Sequence, residues 1–217
     1  MTGERRSPLT CAVLALGFVI ESALVAGGAT RAADQRVAAA FAGLWNPSLQ
    51  LVMQGIAVLG SLELTLLLAL GLLVYLWRSG FARESWVLLA FPAVLLVELA
   101  YRRLVFQPPP LAFSHPDAPS LTGLFNLTER VPNSFPSGHM LRAVLVWGLL
   151  AFVVRRLAPP GLARQVALPA AAVVIAAVAF DRLYLGVHWQ SDVLGGLLLG
   201  GLTLAAAIAW LDWGSAH

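Results

Sequence analysis

Lysine is absent from this chain, so all 14 of its basic residues are arginine, set against 11 acids for a formal net charge of +3. Charged residues of either sign make up only 12% of the sequence and hydrophobic ones 59%, which excludes the polar surface of a soluble domain. So few cations cannot form the broad basic face that nucleic-acid binding needs, and they are better suited to setting topology and holding phosphate. Cysteine is nearly absent as well. Cys11 stands alone in an apolar run, which excludes an internal disulfide and any cysteine-built metal centre. What the chain has in quantity is apolar runs of membrane-spanning length.

The first run extends from Leu9 to about Gly28, long enough to cross a bilayer at about 1.5 Å per residue. It reads as a retained helix; a cleaved signal peptide is the rival, because Ala26 and Ala29 supply small residues near its end. From Ala32 to about Ser61 the pattern changes. Asp34, Gln35 and Arg36 open the segment, Val37, Phe41, Leu44 and Trp45 recur at helical spacing, and Asn46-Pro47 breaks it. This predicts an amphipathic helix lying in the membrane interface, with Leu49 to Gly60 either re-entrant or leading into the next span.

Five further spans are expected over Leu62–Trp77, Trp86–Phe106, His139–Val154, Gln165–Phe180 and Ser191–Trp210, the last carrying Gly195, Gly196, Gly200 and Gly201 for close helix packing. The stretch from Gln107 to Phe135 holds Pro108, Pro109, Pro110, Pro116, Pro119 and Pro132 and must be a loop. The expected fold is an all-α membrane protein, a bundle of six transmembrane helices with an interfacial helix after the first. Residues 1–61 form its N-terminal part and residues 62–217 its helical core.

Arg78 and Arg83 follow the second span, and Arg155, Arg156 and Arg164 the fourth, which puts those turns in the cytoplasm together with Arg5 and Arg6. The long loop and the polar break at Asp181 then face outward. The expectation is a multi-pass protein of the cell (inner) membrane whose site opens on the periplasmic or outer face. Glu21, Glu63 and Glu98 lie within or near spans, where a carboxylate is costly, and pairing with arginine is the expected reason.

Two clusters carry chemistry. The first is Ser134-Phe135-Pro136-Ser137-Gly138-His139, where loop meets apolar run. Proline and serine suit a helix start, and glycine admits a ligand to bare backbone. The free amides and macrodipole of such a start favour an anion, with His139 beside it as a proton donor. The second runs from Asp181 to Asp192 and places Arg182, His188 and Asp192 at the spacing R-x5-H-x3-D. His188 and Asp192 are four apart, so on a helix the carboxylate can accept from the ring and raise the basicity of its other nitrogen.

Each cluster begins a span at one face, with a single helical hairpin between them. In this combination the sequence resembles the type 2 phosphatidic acid phosphatase family, lipid phosphatases related in fold to the vanadium haloperoxidases. The resemblance implies His188 as nucleophile forming a phosphohistidine, Asp192 as its orienting partner and His139 as the acid for the leaving group. It implies Arg182, Ser137 and the Gly138 amide as a phosphate cradle, and no metal or other cofactor.

The family's first motif, a basic residue, six residues and Arg-Pro, aligns with Arg102 through Pro110. Arg102 matches the basic start, but Pro109 stands where the arginine belongs and can donate neither charge nor hydrogen bond. Arg142, three residues after His139 and on its helical face, and Arg130, just before the first cluster, are candidates to replace it. Asp181 stands where the family often has serine and is expected to pair with Arg182.

The implied partners are a lipid phosphate substrate and the bilayer, not nucleic acid. The leading expectation is hydrolysis of a phosphomonoester or diphosphate on a lipid of the undecaprenyl diphosphate, phosphatidic acid or phosphatidylglycerol phosphate type. A phosphotransferase using another hydroxyl as acceptor, or a non-catalytic lipid-binding descendant disabled at Pro109, are the alternatives. A transporter would leave the histidine spacing unexplained.

Overall fold

In the computed structural model, which describes residues 6–82, 84–118 and 133–213, each apolar run is a helix. Among the described residues every regular element is helical: α1 (Arg6–Ala26), α2 (Arg31–Ala42), α3 (Pro47–Val58), α4 (Leu62–Arg78), a 3-10 turn (Glu84–Leu89) leading into α5 (Ala90–Leu104), α6 (Gly138–Leu157), α7 (Leu162–Tyr184) and α8 (Gln190–Trp213). The starts follow local chemistry. Asn46 caps α3 by accepting from the Ser48 amide at 2.9 Å with Pro47 as the first helical residue, and Ser61 caps α4 by accepting from Leu64 at 3.2 Å.

Among the described residues, four stretches are long and apolar enough to cross a membrane: Pro8–Ala26, Pro47–Arg78, Leu162–Tyr184 and Gln190–Leu211. Their outward faces carry large apolar side chains such as Leu9, Val13, Leu16, Leu67, Val74 and Val173, as lipid contact requires. Helix α6 is different, because protein surrounds it. It packs against α7 and α8 and is flanked by α4 and α5, so Leu141, Leu145 and Leu149 are sealed and Arg142 is buried in protein rather than lipid.

Burying apolar surface drives little association inside lipid, so close packing has to hold these helices together. Gly196 and Gly200 of α8 provide it. A Cβ at Gly196 would lie 2.5 Å from the Ser137 carbonyl oxygen, and one at Gly200 2.8 Å from that of Leu141. The starts of α6 and α8 are thereby pressed together, which is what a site shared between them needs.

Elsewhere α1 lies on α8, and α2 and α3 lie on α7. The Asn46 amide donates to the Tyr184 hydroxyl at 2.7 Å, fixing the α2–α3 turn to the end of α7. The segment after α5 is pinned as well. The His115 amide donates to the Leu185 carbonyl at 2.8 Å, its ring stacks on Trp45 with centroids 4.3 Å apart, and Gln54 Nε2 donates to the Pro116 carbonyl at 3.0 Å.

Candidate active site

Helix α6 begins at the first cluster. Ser137 occupies its N-cap position in an extended conformation, and its carbonyl accepts the Leu141 amide at 3.0 Å. Its hydroxyl differs from an ordinary cap: it makes no bond to the first turn, and although buried it finds no partner among the described residues. The Ser137 amide donates to the Asp192 carbonyl at 2.9 Å, joining this helix start to that of α8.

His188 lies in the turn between α7 and α8, and Asp192 is the third residue of α8. Their contact, Nδ1 to Oδ2 at 3.2 Å, is therefore made at the helix entrance rather than along a helical face. The same Oδ2 accepts the Trp189 amide at 2.9 Å, the way a carboxylate three residues into a helix serves its start. Oδ1 accepts from Gln107 Nε2 at 3.0 Å. With Asp192 an acceptor on both oxygens, the His188 proton belongs on Nδ1 and the lone pair on Nε2.

Burial pulls the His188 imidazole below its ordinary value of 6.5, against the opposing hydrogen bond and charge of Asp192, with Arg102 and Arg182 adding to the depression. That direction favours the neutral ring, the form a nucleophilic role would require. His139, half-buried at the start of α6, lies within electrostatic range of His188, Arg182, Arg142 and Arg102, so the structure gathers the predicted residues into one cluster.

The arginines are engaged by carboxylates. Glu98 on α5 binds Arg142 Nη1 at 2.9 Å and Arg102 Nη2 at 3.2 Å, and its carboxylate fills the space that a side chain on Gly138 would need. The negative group at the N-terminus of α6 is thus Glu98, favoured there by the macrodipole. Arg142 Nε also donates to the Gly60 carbonyl at 3.3 Å, while the buried Arg102 Nε has no partner among the described residues.

Arg182 is fully buried. Its two terminal nitrogens fork onto Asp117 at 2.6 and 2.9 Å, and Nε donates to Asp181 at 2.8 Å, so Asp181 pairs with it as expected. Burial pushes the Asp117 carboxyl up, but the hydrogen bonds and charge of Arg182 prevail and hold it below its ordinary 3.8. Arg130 lies outside the described residues.

Of the sequence-predicted groups, His188, Asp192, His139, Arg182, Ser137, Gly138, Arg102 and Arg142 all converge here. Gln107, Ser191, Asp34, Glu98 and Asp117 were not given a place in the site by sequence reasoning. The one available signal for Gln107 was a polar side chain between the apolar Leu104-Val105-Phe106 and the prolines.

Known proteins resemble this chain in sequence and in fold. The family model of the PAP2 superfamily matches residues 106–215. Phosphatidylglycerophosphatase B of Bacillus subtilis (strain 168) is 30% identical over 197 residues, covering 86% of this chain and 87% of that protein. A putative undecaprenyl-diphosphatase of Escherichia coli (strain K12), YbjG, is 35% identical over 147 residues, 66% of this chain and 67% of its own. Among solved structures, the crystal structure of a transmembrane PAP2-type phosphatidylglycerolphosphate phosphatase from Bacillus subtilis superposes with a TM-score of 0.77 at 27% identity, covering 94% of this chain and 96% of that one.

Proposed function

This chain belongs to the PAP2 superfamily, and on that premise we propose that it is an integral membrane phosphatase removing phosphate from a lipid phosphomonoester or diphosphate. The substrate class is that of its relatives, a phosphatidylglycerol phosphate or a polyprenyl diphosphate. The observation that carries the reading is the His188–Asp192 dyad at the entrance of α8, joined through Ser137 to the start of α6 and ringed by Arg102, Arg142 and Arg182.

In the mechanism, the Nε2 lone pair of His188 attacks phosphorus, the bond to the leaving oxygen breaks, and His139 gives that oxygen its proton. The leaving group is a lipid alcohol from a monoester, or a lipid monophosphate from a diphosphate. Asp192 holds Nδ1–H and stabilises the positive charge that develops on the ring. Water then attacks the phosphohistidine, His139 accepts its proton, and the P–N bond breaks to release phosphate and neutral His188.

Arg102 Nε and the Ser137 hydroxyl, both buried and without protein partners among the described residues, suit the phosphoryl oxygens. Arg142 takes the part of the arginine missing at Pro109, steered by Glu98. Arg182 joins the cradle by exchanging Asp117 for phosphate, since both groups match its planar fork.

We assign six crossings to α1, α4, α5 with the turn before it, α6, α7 and α8, with α2 in the interface and α3 re-entrant. The arginine-bearing turns after α4 and α6 face the cytoplasm, and the site opens at the outer face of the inner membrane.

The test is phosphate release by the purified protein in detergent with EDTA, across prenyl and glycerolipid phosphates, beside the His188→Ala variant. Release is expected to survive chelation and to fall by at least about 10³-fold in the variant. Appreciable turnover by a folded His188→Ala protein would overturn the mechanism.

A further inference from the structure

Gln107 sits where three parts of the molecule meet. Its amide donates to Asn133 Oδ1 at 3.0 Å, and its carbonyl accepts from the Ser134 amide at 2.7 Å and the Ser134 hydroxyl at 3.0 Å. The backbone of Gln107 therefore clamps the approach to α6. Its side chain faces α8, where Nε2 donates to Ser191 Oγ at 2.7 Å and to Asp192 Oδ1 at 3.0 Å.

Ser191 is tied in turn to α2. Asp34, buried on that helix, accepts the Ser191 amide on Oδ1 at 2.9 Å and the Ser191 hydroxyl on Oδ2 at 2.8 Å. A carboxylate is acceptor-only, so the Ser191 hydroxyl must give its single proton to Asp34. A lone pair is then left to face Gln107, and only the NH₂ end of the Gln107 amide can meet it. The second N–H of that NH₂ group falls to Asp192. Every donor and acceptor along Asp34–Ser191–Gln107–Asp192–His188 is thus fixed by the first member.

We propose that Gln107 and Asp34 are positioning residues for the nucleophile: Asp34, acting through Ser191, sets the orientation of the Gln107 amide, and Gln107 holds the Asp192 carboxylate against His188 Nδ1. The inference rests on His188 being the nucleophile. It assigns α2 a task in the reaction, since that helix supplies the polarity on which the dyad depends. In a buried network each group is committed to one direction, and reversing one reverses those beyond it.

Asp34→Asn changes no shape but lets an amide N–H point at Ser191 Oγ. The hydroxyl then turns its proton toward Gln107, the Gln107 amide flips, and its oxygen opposes Asp192. Gln107→Glu places a carboxylate against Asp192 directly. Steady-state kinetics and a pH–rate profile with the lipid phosphate hydrolysed by the wild type read both variants. For each, kcat is expected to fall about 10- to 100-fold with KM within twofold, because the change touches no substrate.

The acid limb of the profile is expected to move to higher pH by about half a unit or more, because Asp192 without its donor, or beside a second carboxylate, favours the imidazolium. Among the described residues, the charged and titratable groups within range of His188 are Asp192 on α8, Arg182 on α7, Arg102 on α5, His139 on α6 and Asp117 in the segment after α5. All of these stay in place in both variants.

Thermal unfolding in detergent checks that each variant is folded, and the second variant decides if the first is not. Folded variants with kcat within twofold of wild type and an unmoved acid limb would overturn the inference, as would a change confined to KM. Wild-type activity in His188→Ala would instead remove its premise. A dead His188→Ala beside unaffected Asp34→Asn and Gln107→Glu would reject the relay alone.

Discussion

The two sides of the polar cluster are built on opposite plans. On the His188 side Asp192 is completely enclosed, and its two oxygens accept from His188, Trp189 and Gln107, which come from the turn before α8 and the segment after α5. On the arginine side the cations are held by carboxylates, Arg102 and Arg142 by Glu98 and Arg182 by Asp117, while Arg102 Nε and Ser137 Oγ stay unpartnered among the described residues. The difference matches the two tasks proposed for the cluster. A nucleophile gains from a geometry settled before substrate arrives, whereas a cradle for a dianion must hold its charges in reserve and exchange partners as phosphate enters.

The sharpest way to break the settled side is Asp192→Asn. The amide keeps the shape but cannot accept from His188, Trp189 and Gln107 together, and it no longer balances an imidazolium. A fall in kcat of about 10³-fold or more is expected, with KM little changed, by steady-state assay of phosphate release. A loss below tenfold would mean that the dyad is not the catalytic unit.

Both polar clusters were legible in the sequence because each is local: a helix start, and a histidine and aspartate four residues apart. Arg142 was legible by helical spacing from His139, and Glu98 as a carboxylate needing an arginine. The rest rests on contacts that no periodicity encodes. Gln107 meets Asp192 across 85 positions, Asp34 meets Ser191 across 157, and Asp117 meets Arg182 across 65. An acid in the first turn of α2 looks from sequence like a solvated or interfacial charge, and only the docking of α2 on α8 makes it a buried acceptor. The extent of the spans was less legible still. Alternating arginines and apolar runs mark six candidates, while α6 owes its place to being surrounded by protein rather than to its own hydrophobicity.

On the exchanging side, Arg142→Ala removes the cation proposed to replace the arginine absent at Pro109. One charged contact to a developing phosphoryl oxyanion is worth about 3 kcal/mol, so kcat/KM should fall about 100-fold. Arg142→Lys should recover only part of it, since an ammonium cannot hold Glu98 and phosphate with the same planar geometry. If Arg142→Ala retains more than a third of wild-type kcat/KM, Arg142 is a structural partner of Glu98 and the gap at Pro109 is filled elsewhere.

Asp117→Asn probes the exchange itself and should have the smallest effect, in the opposite direction. Because Arg182 holds the Asp117 carboxyl below 3.8, lowering the pH within any working range does not release the fork, and phosphate must displace a charged competitor. An amide competes less well for a guanidinium than a carboxylate does, by about 1 kcal/mol at this partly exposed position. The inhibition constant of inorganic phosphate and the KM for the lipid should therefore both fall about three- to tenfold while kcat holds, since the substituted side chain would still lie within the pinned segment that carries His115 and Pro116. A rise in both constants would instead identify Asp117 as the group that keeps Arg182 aimed, and would move Arg182 from the exchanging side of the comparison to the settled one.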